Sequence, residues 1–435
     1  MGQMNIDGRS VAEIFESIRR EVHAGRLVAG ELLPTVRELA GRLQVNRNTV
    51  AAAYRRLVAA GIAQTLGRNG TLIRELAQPG EQEGTAPGST LCDLAGGSPD
   101  PALLPDLQAV LAAGGSYRPH LYGEPVLDAE LERLARRWLQ PDCRPGCTLQ
   151  LAHGAVDAIE RLLAAYLVAG DKVAVEDPCF LGSINTLRLA GLEALAVAVD
   201  AEGMRPQALA AALAAGAQAV LCTSRAHNPT GCSLTPARAA ALREVLAAYP
   251  HVLVIEDDHF ALLARTPFCS IVPAATAHWA LVRSVSKAFG PDLRLACVAS
   301  DADTAGRLAM RLAPGTTWVS HLLQGAVRTL LASPAAMQQV EQAAECYAAR
   351  RAALIDALRS EGIDAAEPCD GLNVWVPLTC DPAPLLPALA RQGWLLRGGT
   401  GFAIAAPAHA LRITVSTLDA ATARRLAADL RRLMV

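Results

Sequence analysis

Lysine is nearly missing from this chain: of its 40 lysine and arginine residues, only Lys172 and Lys287 are lysines. Arginine grips phosphate and carboxylate through paired hydrogen bonds, but it stays protonated and offers no nucleophilic amine. Aromatic residues are scarce, at 4% of the chain, and alanine carries much of the 51% apolar fraction. No apolar run reaches the roughly 20 residues needed to cross a bilayer; the alanine-rich stretch 189–222 is broken by Asp200, Glu202, Arg205 and Gln218. The opening MGQMNIDGRS lacks the apolar core of a secretory signal. The eleven cysteines form no C-x-x-C pair, and the nearest two, Cys143 and Cys147, have no second pair or histidine cluster to match. This pattern reads as free thiols in a cytoplasmic protein, with a metal site or disulfide framework as the alternative.

What is present divides in two. The 435 residues suffice for two or three domains with a large core. Residues 77–90, AQPGEQEGTAPGST, are glycine, proline and polar residues without apolar periodicity, which predicts a flexible linker between domains at 1–76 and 91–435. Charge splits at the same place. Through Glu75 there are eleven arginines, no lysine and seven acids, leaving the first part near +4 and the rest near −6. A basic small domain tethered to an acidic large one points to nucleic acid as the partner of the small one.

Within 1–76, Val11, Ile14, Phe15, Ile18 and Val22 share a helical face. Thr35-Val36-Arg37-Glu38 has the form of a capping box opening a second helix with Leu39, Ala40 and Leu43 as its apolar stripe. Asn46 is a candidate N-cap for a third, with Val50, Tyr54, Leu57 and Val58 inward and Gly61 as its stop. The short turn between the second and third helices has helix-turn-helix spacing, and IAQTLGRNGTLI reads as a hairpin. Together these predict a winged helix. In that geometry Arg47, Asn48 and Thr49, at the start of the third helix, reach base edges. Thr35, Arg37, Arg55 and Arg68 complete the candidate DNA-binding set, the arginines contacting phosphates. The competing reading is a small helical domain whose arginines form only a solvated face. The run LPTVRELAGRLQVNRNTVAAAYRRLVAAGIAQTLGRNGT resembles the DNA-binding domain of GntR-type bacterial repressors, which implies a double-stranded DNA operator as partner.

In 91–435, strand-like runs at 172–177, 194–200, 218–223, 251–258 and 279–286 alternate with helical stretches. That predicts an α/β fold with a largely parallel sheet, whose strand carboxyl ends hold the chemistry. Those ends carry His153-Gly154-Ala155 at a helix start, Phe180 after VEDPC, Asn228 in SRAHNPTG, the acids Glu256, Asp257 and Asp258 with His259, and Ser284, Lys287 and Arg294 in SVSKAFGPDLR. Pyridoxal phosphate is a ligand that wants this set. Its aldehyde needs a lysine amine, its pyridine nitrogen a carboxylate, and its phosphate hydroxyl, guanidinium and helix-start N–H groups.

The order of these motifs resembles fold type I aminotransferases, with a small C-terminal α+β subdomain. The resemblance implies that Lys287 forms the Schiff base with pyridoxal phosphate, Asp257 meets the pyridine nitrogen, Asn228 the 3′-oxygen, and Phe180 stacks on the ring. It implies Ser284, Arg294, Gly154 and Ala155 for the phosphate, Tyr122 for the phosphate of a partner subunit, and Arg412 for a substrate or effector carboxylate. Three departures stand out: His259 where relatives have tyrosine, Val156 and Asp157 at the phosphate turn, where an acid would weaken the clamp, and Leu127 in place of glycine. Asp257 and Arg412 also have structural readings, and Phe180 could be core; His153 and His227 are read as structural, and Lys172 as a surface charge. The two halves together resemble the MocR subfamily of GntR-type regulators, and within it the members that control vitamin B6 genes. This implies a cytoplasmic head-to-tail homodimer that uses pyridoxal phosphate, or an amino compound bound to it, as effector. A working aminotransferase with an appended DNA-binding domain remains the alternative, because the same residues serve turnover.

Overall fold

The computed structural model describes residues 5–65, 70–74, 81–84, 88–113, 118–315 and 317–434. The chain separates into two units, Met1–Pro79 with Arg188–Gly191, and Gly80–Leu187 with Leu192–Val435. The division falls inside the segment expected to be a flexible linker. Part of that segment is anchored instead: residues 81–84 belong to the large unit and are hydrogen-bonded to it.

In the small unit, α1 (Val11–His23) buries Ile14, Phe15 and Ile18 against Leu39, Val50 and Leu57. Helix α2 (Val36–Leu43) opens with the expected capping box: Glu38 N donates to Thr35 Oγ1 at 3.2 Å and Thr35 N to Glu38 Oε2 at 2.9 Å. Helix α3 (Arg47–Ala59) is capped by Asn46, whose Oδ1 accepts from Asn48 N at 2.8 Å. Gly61, at φ +69°, supplies the left-handed residue that turns the chain out of α3. Tyr54 reaches back from α3 and donates to the Pro34 carbonyl at 2.7 Å, fixing the angle between α2 and α3. Strands β1 (Ala63–Thr65) and β2 (Thr71–Ile73) pair antiparallel as the wing. Arg68 lies outside the described residues.

In the large unit, β3 (Cys92–Asp93), α4 (Leu107–Ala113) and α5 (Ala129–Leu139) lead into an eight-stranded sheet. Its strands are β4 (Thr148–Ala152), β5 (Lys172–Asp177), β6 (Glu193–Asp200), β7 (Gly203–Met204), β8 (Ala219–Cys222), β9 (Leu253–Asp258), β10 (Trp279–Ser284) and β11 (Ala296–Ser300), in the order β4-β11-β10-β9-β8-β5-β6-β7. The pairs β5–β6, β5–β8, β8–β9 and β9–β10 are parallel, and β11 runs antiparallel to β4 and β10. Every residue of β8, β9 and β10 is buried, as expected of parallel strands covered on both faces. The reversal of β11 matters for the site. Its amino end, preceded by Arg294, lies at the edge where its antiparallel neighbours β4 and β10 have their carboxyl ends.

The C-terminal part builds a second sheet, β12 (Asn373–Pro377), β14 (Arg397–Gly398) and β15 (Ala410–Thr414), with β15 central and antiparallel to both. Strand β13 (Trp394–Leu395) pairs with β3. The helices Pro334–Ser360 and Ala420–Met434 pack on this part through Leu354, Leu358, Leu426 and Leu430. This is the expected α+β subdomain. The described cysteines are free thiols, and no helix among the described residues is long and apolar enough to cross a membrane.

Candidate functional site

Five strand ends converge on a cavity of about 160 Å³. Lys287 sits in the short helix Ser286–Phe289 that follows β10, and Asp257 at the end of β9. Ala155, Phe180, Asn228, His259, Ser284 and Arg294 line the same space. Eight of the residues singled out in the sequence are thus brought together from positions up to 139 residues apart, Ala155 to Arg294.

Asp257 has the most informative surroundings. Its side chain is buried, yet Oδ1 has no hydrogen-bond partner among the described residues. Burial pushes its carboxyl up to about 7, with Asp258 adding to the rise and Lys287 opposing it. Asp258 next to it faces away and is held ionised by Arg225 and Arg283. Of the three adjacent acids, Glu256 serves the interior too, accepting from Ser270 Oγ at 2.7 Å and Ile271 N at 2.8 Å. Asp257 is the one aimed into the cavity.

Lys287 Nζ donates to the Gly97 carbonyl at 2.6 Å. Burial lowers its pKa, opposed by the charges of Glu83 and Asp257 and reinforced by Arg412. His259 is pushed down to about 4 by burial and by Lys287, so the imidazole is neutral near pH 7 and has one N–H to donate. Its Nδ1 lies 3.9 Å from Asp257 Oδ2.

The opposite end of the cavity has an anion-binding character. Helix α6 (Ala155–Tyr166) starts at Gly154, φ +97°, with no side chain capping its first N–H groups. A Cβ at Gly154 would stand 3.1 Å from the Arg294 guanidinium, so glycine permits their close approach. Ser284, Ser286 and Thr223 add hydroxyls. The expectation that Asp157 weakens this clamp is corrected by its contacts. Its carboxylate is turned back, accepting from Arg161 Nε at 2.8 Å and His153 N at 3.1 Å, and it does not line the cavity.

Arg412, in the middle of β15, is fully buried. Its Nη1 donates to the Glu83 carboxylate and to Asn228 Oδ1, and its Nη2 to the Ala95 carbonyl. Tyr122 does not line the cavity; it is 93% exposed. His227 was read from the sequence as structural. It is buried, pushed down to about 3 and paired through Nδ1 with Thr230, and its Nε2 stands 3.5 Å from a Glu176 that burial pushes up to about 8. Lys172 is the first residue of β5, at the end of the strand away from the cavity, and donates to the Ala215 carbonyl.

Sequence reasoning missed Glu83, Thr223 and Ser286. Ser286 adjoins Lys287 and was visible in the same motif. Glu83 carried no signal, because a charged residue in a glycine- and proline-rich stretch ordinarily faces water.

In the small unit, Arg47 and Asn48 are exposed at the start of α3, Thr49 is half-buried beside them, and Thr35, Arg37 and Arg55 are exposed. Among the described residues Arg37, Arg47 and Arg55 form no ion pair, whereas Arg19, Arg20 and Arg26 pair with Glu16, Asp7 and Glu21. These three arginines without an ion pair among the described residues lie on α2 and α3.

Residues 92–430 match the aminotransferase class I and II family, and residues 10–73 the gntR family of bacterial regulatory proteins. The vitamin B6 salvage pathway transcriptional repressor PtsJ of Salmonella typhimurium is 52% identical over 425 residues, covering 98% of each chain. The pyridoxine biosynthesis transcriptional regulator PdxR of Corynebacterium glutamicum is 27% identical over 415 residues, 89% of each chain. Among solved structures, the kynurenine aminotransferase of Pyrococcus horikoshii aligns with a TM-score of 0.72 at 19% identity, over 80% of this chain and 91% of its own. An aspartate aminotransferase of Thermus thermophilus aligns at 0.68 and 22%, over 80% and 92%. These two likenesses are of fold.

Proposed function

Starting from a chain that belongs to the MocR subfamily of GntR-type transcriptional regulators, with an aminotransferase class I and II domain as its large unit, we propose that it binds operator DNA through α3 and pyridoxal phosphate in the cavity at Lys287, and that it controls vitamin B6 genes. The observation that carries the ligand is Asp257, which lines the cavity that holds Lys287 and whose buried Oδ1 has no hydrogen-bond partner among the described residues. A buried carboxylate oxygen without a partner is costly unless a donor arrives, and a protonated pyridine nitrogen is such a donor. The residues present fit the group.

When bound, the cofactor supplies an aldehyde carbon and an electron-withdrawing ring. Lys287 would hold the aldehyde carbon through its amine, which burial keeps closer to the neutral, nucleophilic form. Asp257 would hold the proton on the ring nitrogen, and Asn228 and the neutral His259 would orient the 3′-oxygen. Phe180 would cover one ring face. The α6 start, Arg294, Ser284 and Ser286 would hold the phosphate dianion. The exposed Tyr122 fits a role on the partner's phosphate in a head-to-tail homodimer.

For the DNA arm, Arg47, Asn48 and Thr49 would read bases, and Thr35, Arg37 and Arg55 would position the domain. The 52% identity to a vitamin B6 salvage repressor supports vitamin B6 genes as the target. To regulate, the ligand must bind the DNA-competent and incompetent states with different affinity. A gel shift on the region upstream of the protein's own gene, with and without pyridoxal phosphate, tests this. A shifted DNA affinity is expected. Equal affinities, or sustained turnover of amino acids with 2-oxoacids, would overturn the regulator reading.

A further inference from the structure

The carboxylate at Arg412 comes from the chain itself. Glu83, four residues into the large unit, accepts from Arg412 Nη1, and Asn228 Nδ2 stands 3.4 Å from its Oε1. Two residues earlier, Glu81 pairs with Arg397 at 2.6 Å, and Arg397 Nη2 donates to the Gln82 carbonyl at 2.9 Å. Asn185 Nδ2 donates to the Glu81 carbonyl at 2.9 Å, and Gly84 N to the Gly96 carbonyl at 3.1 Å.

Two further observations show that this seat is built. Arg397 and Arg412 are directly opposed in the β14–β15 register. Like charges so placed repel, and a buried guanidinium needs a carboxylate; the segment 81–84 delivers one to each. Glycines clear the room. Gly97, φ +65°, is a position where any Cβ would collide with the Glu83 carboxylate, and a Cβ at Gly401 would stand 3.0 Å from Glu81 Oε2. The second Glu83 oxygen, Oε2, is buried without a partner among the described residues.

We propose that Glu83 is a built-in occupant of the carboxylate seat at Arg412, a specificity-determining residue that closes the cavity to amino acids and reserves it for a phosphate-bearing aldehyde. The proposal rests on Arg412 as the carboxylate anchor of the site. An amino acid must displace Glu83 to place its own carboxylate there; pyridoxal phosphate carries no carboxylate and has no need to.

The test compares the full-length protein with Glu83→Gln. Titrated with propionate in the absence of cofactor, Glu83→Gln should bind at least tenfold more tightly than the parent, and Arg412→Met in that background should erase the gain. Glu83→Asp, which keeps the charge on a shorter arm, should fall between them and covers the case of a poorly folded glutamine variant. With pyridoxal phosphate added, alanine should perturb the visible spectrum of Glu83→Gln at concentrations at least tenfold lower than for the parent, while propylamine perturbs both alike. Equal propionate affinities, or a gain for propylamine as large as for alanine, would overturn the proposal. Absence of any visible band in all proteins would overturn the cofactor reading, and the propionate titration would still decide the role of Glu83.

Discussion

Arg283 lies directly across from Asp258 in the parallel β9–β10 pair, and its Nε donates to Asp258 Oδ2 at 2.6 Å with both side chains buried. Arg225 closes on the same carboxylate from another side, with bonds of 2.7 and 2.9 Å. One carboxylate between two guanidiniums stays ionised. Removing it leaves the buried Arg225 without its carboxylate and Arg283 with Asp142 alone, and breaking a buried pair costs about 3–5 kcal/mol. Asp258→Asn should therefore lower the stability of the large unit by that order in urea unfolding, whereas Asp257→Asn, one residue earlier, should not. Equal losses would mean that the two acids share one structural network.

The proton on Asp257 gives that contrast a pH signature. Burial pushes its carboxyl up to about 7 in the folded protein, above the ordinary aspartate value of about 3.8. Between these values the folded state keeps a proton that the unfolded chain has lost, so stability falls as pH rises from about 4 to about 7 and is level beyond. Glu256, at about 7, and Glu176, at about 8, contribute with the same sign. In cofactor-free protein, Asp257→Asn should remove only its own part of the decline, gaining on the parent by up to about 4 kcal/mol between pH 4 and pH 8. Urea unfolding at both pH values reads the difference; a pH-independent difference would show that Asp257 does not titrate there.

The three acids also mark where sequence reading reaches its limit. Strand alternation separates Asp257 from Glu256 and Asp258, but does not say which face meets the ligand; that depends on helices and loops far away in sequence. The capping box at Thr35, the Asn46 cap and the parallel strands β8 to β10 were legible because local hydrogen bonding and periodicity decide them. The cavity lining was legible because parallel strands put their loops at one edge, and resemblance supplied the roles. Glu83 was not legible. Its position depends on Gly97 and on the register of Arg397 with Arg412, more than 300 residues downstream, and composition argued for a free linker. Asp157 misled for the converse reason: its charge was visible, and its turn toward Arg161 was not.

Substitution of Lys287 tests whether cofactor capture and DNA binding are separable. Lys287→Ala should abolish the visible band that develops when pyridoxal phosphate is added to the full-length protein. Lys287→Arg should abolish it as well, since a guanidinium keeps the charge and lacks the free amine. Both variants should bind operator DNA without cofactor as the parent does. A band that survives in either would assign the aldehyde to another group.

Arg47 tests how the small unit reads DNA. It is the first residue of α3, exposed and without an ion pair among the described residues, just past the Asn46 cap. The helix start adds favourable dipole to any phosphate nearby, so charge alone would make Arg47 a non-specific contact. A bidentate contact to a guanine is a different interaction, worth about 1–3 kcal/mol of discrimination. Arg47→Ala should therefore weaken operator binding by that amount while changing affinity for unrelated DNA little. Arg37→Ala, at a position proposed to contact phosphate, should weaken both alike and reduce the slope of log affinity against log salt by about one. Fluorescence anisotropy over a salt series, on operator and scrambled duplexes, distinguishes the two. A uniform loss in Arg47→Ala would make it a phosphate contact and leave base reading to Asn48 and Thr49.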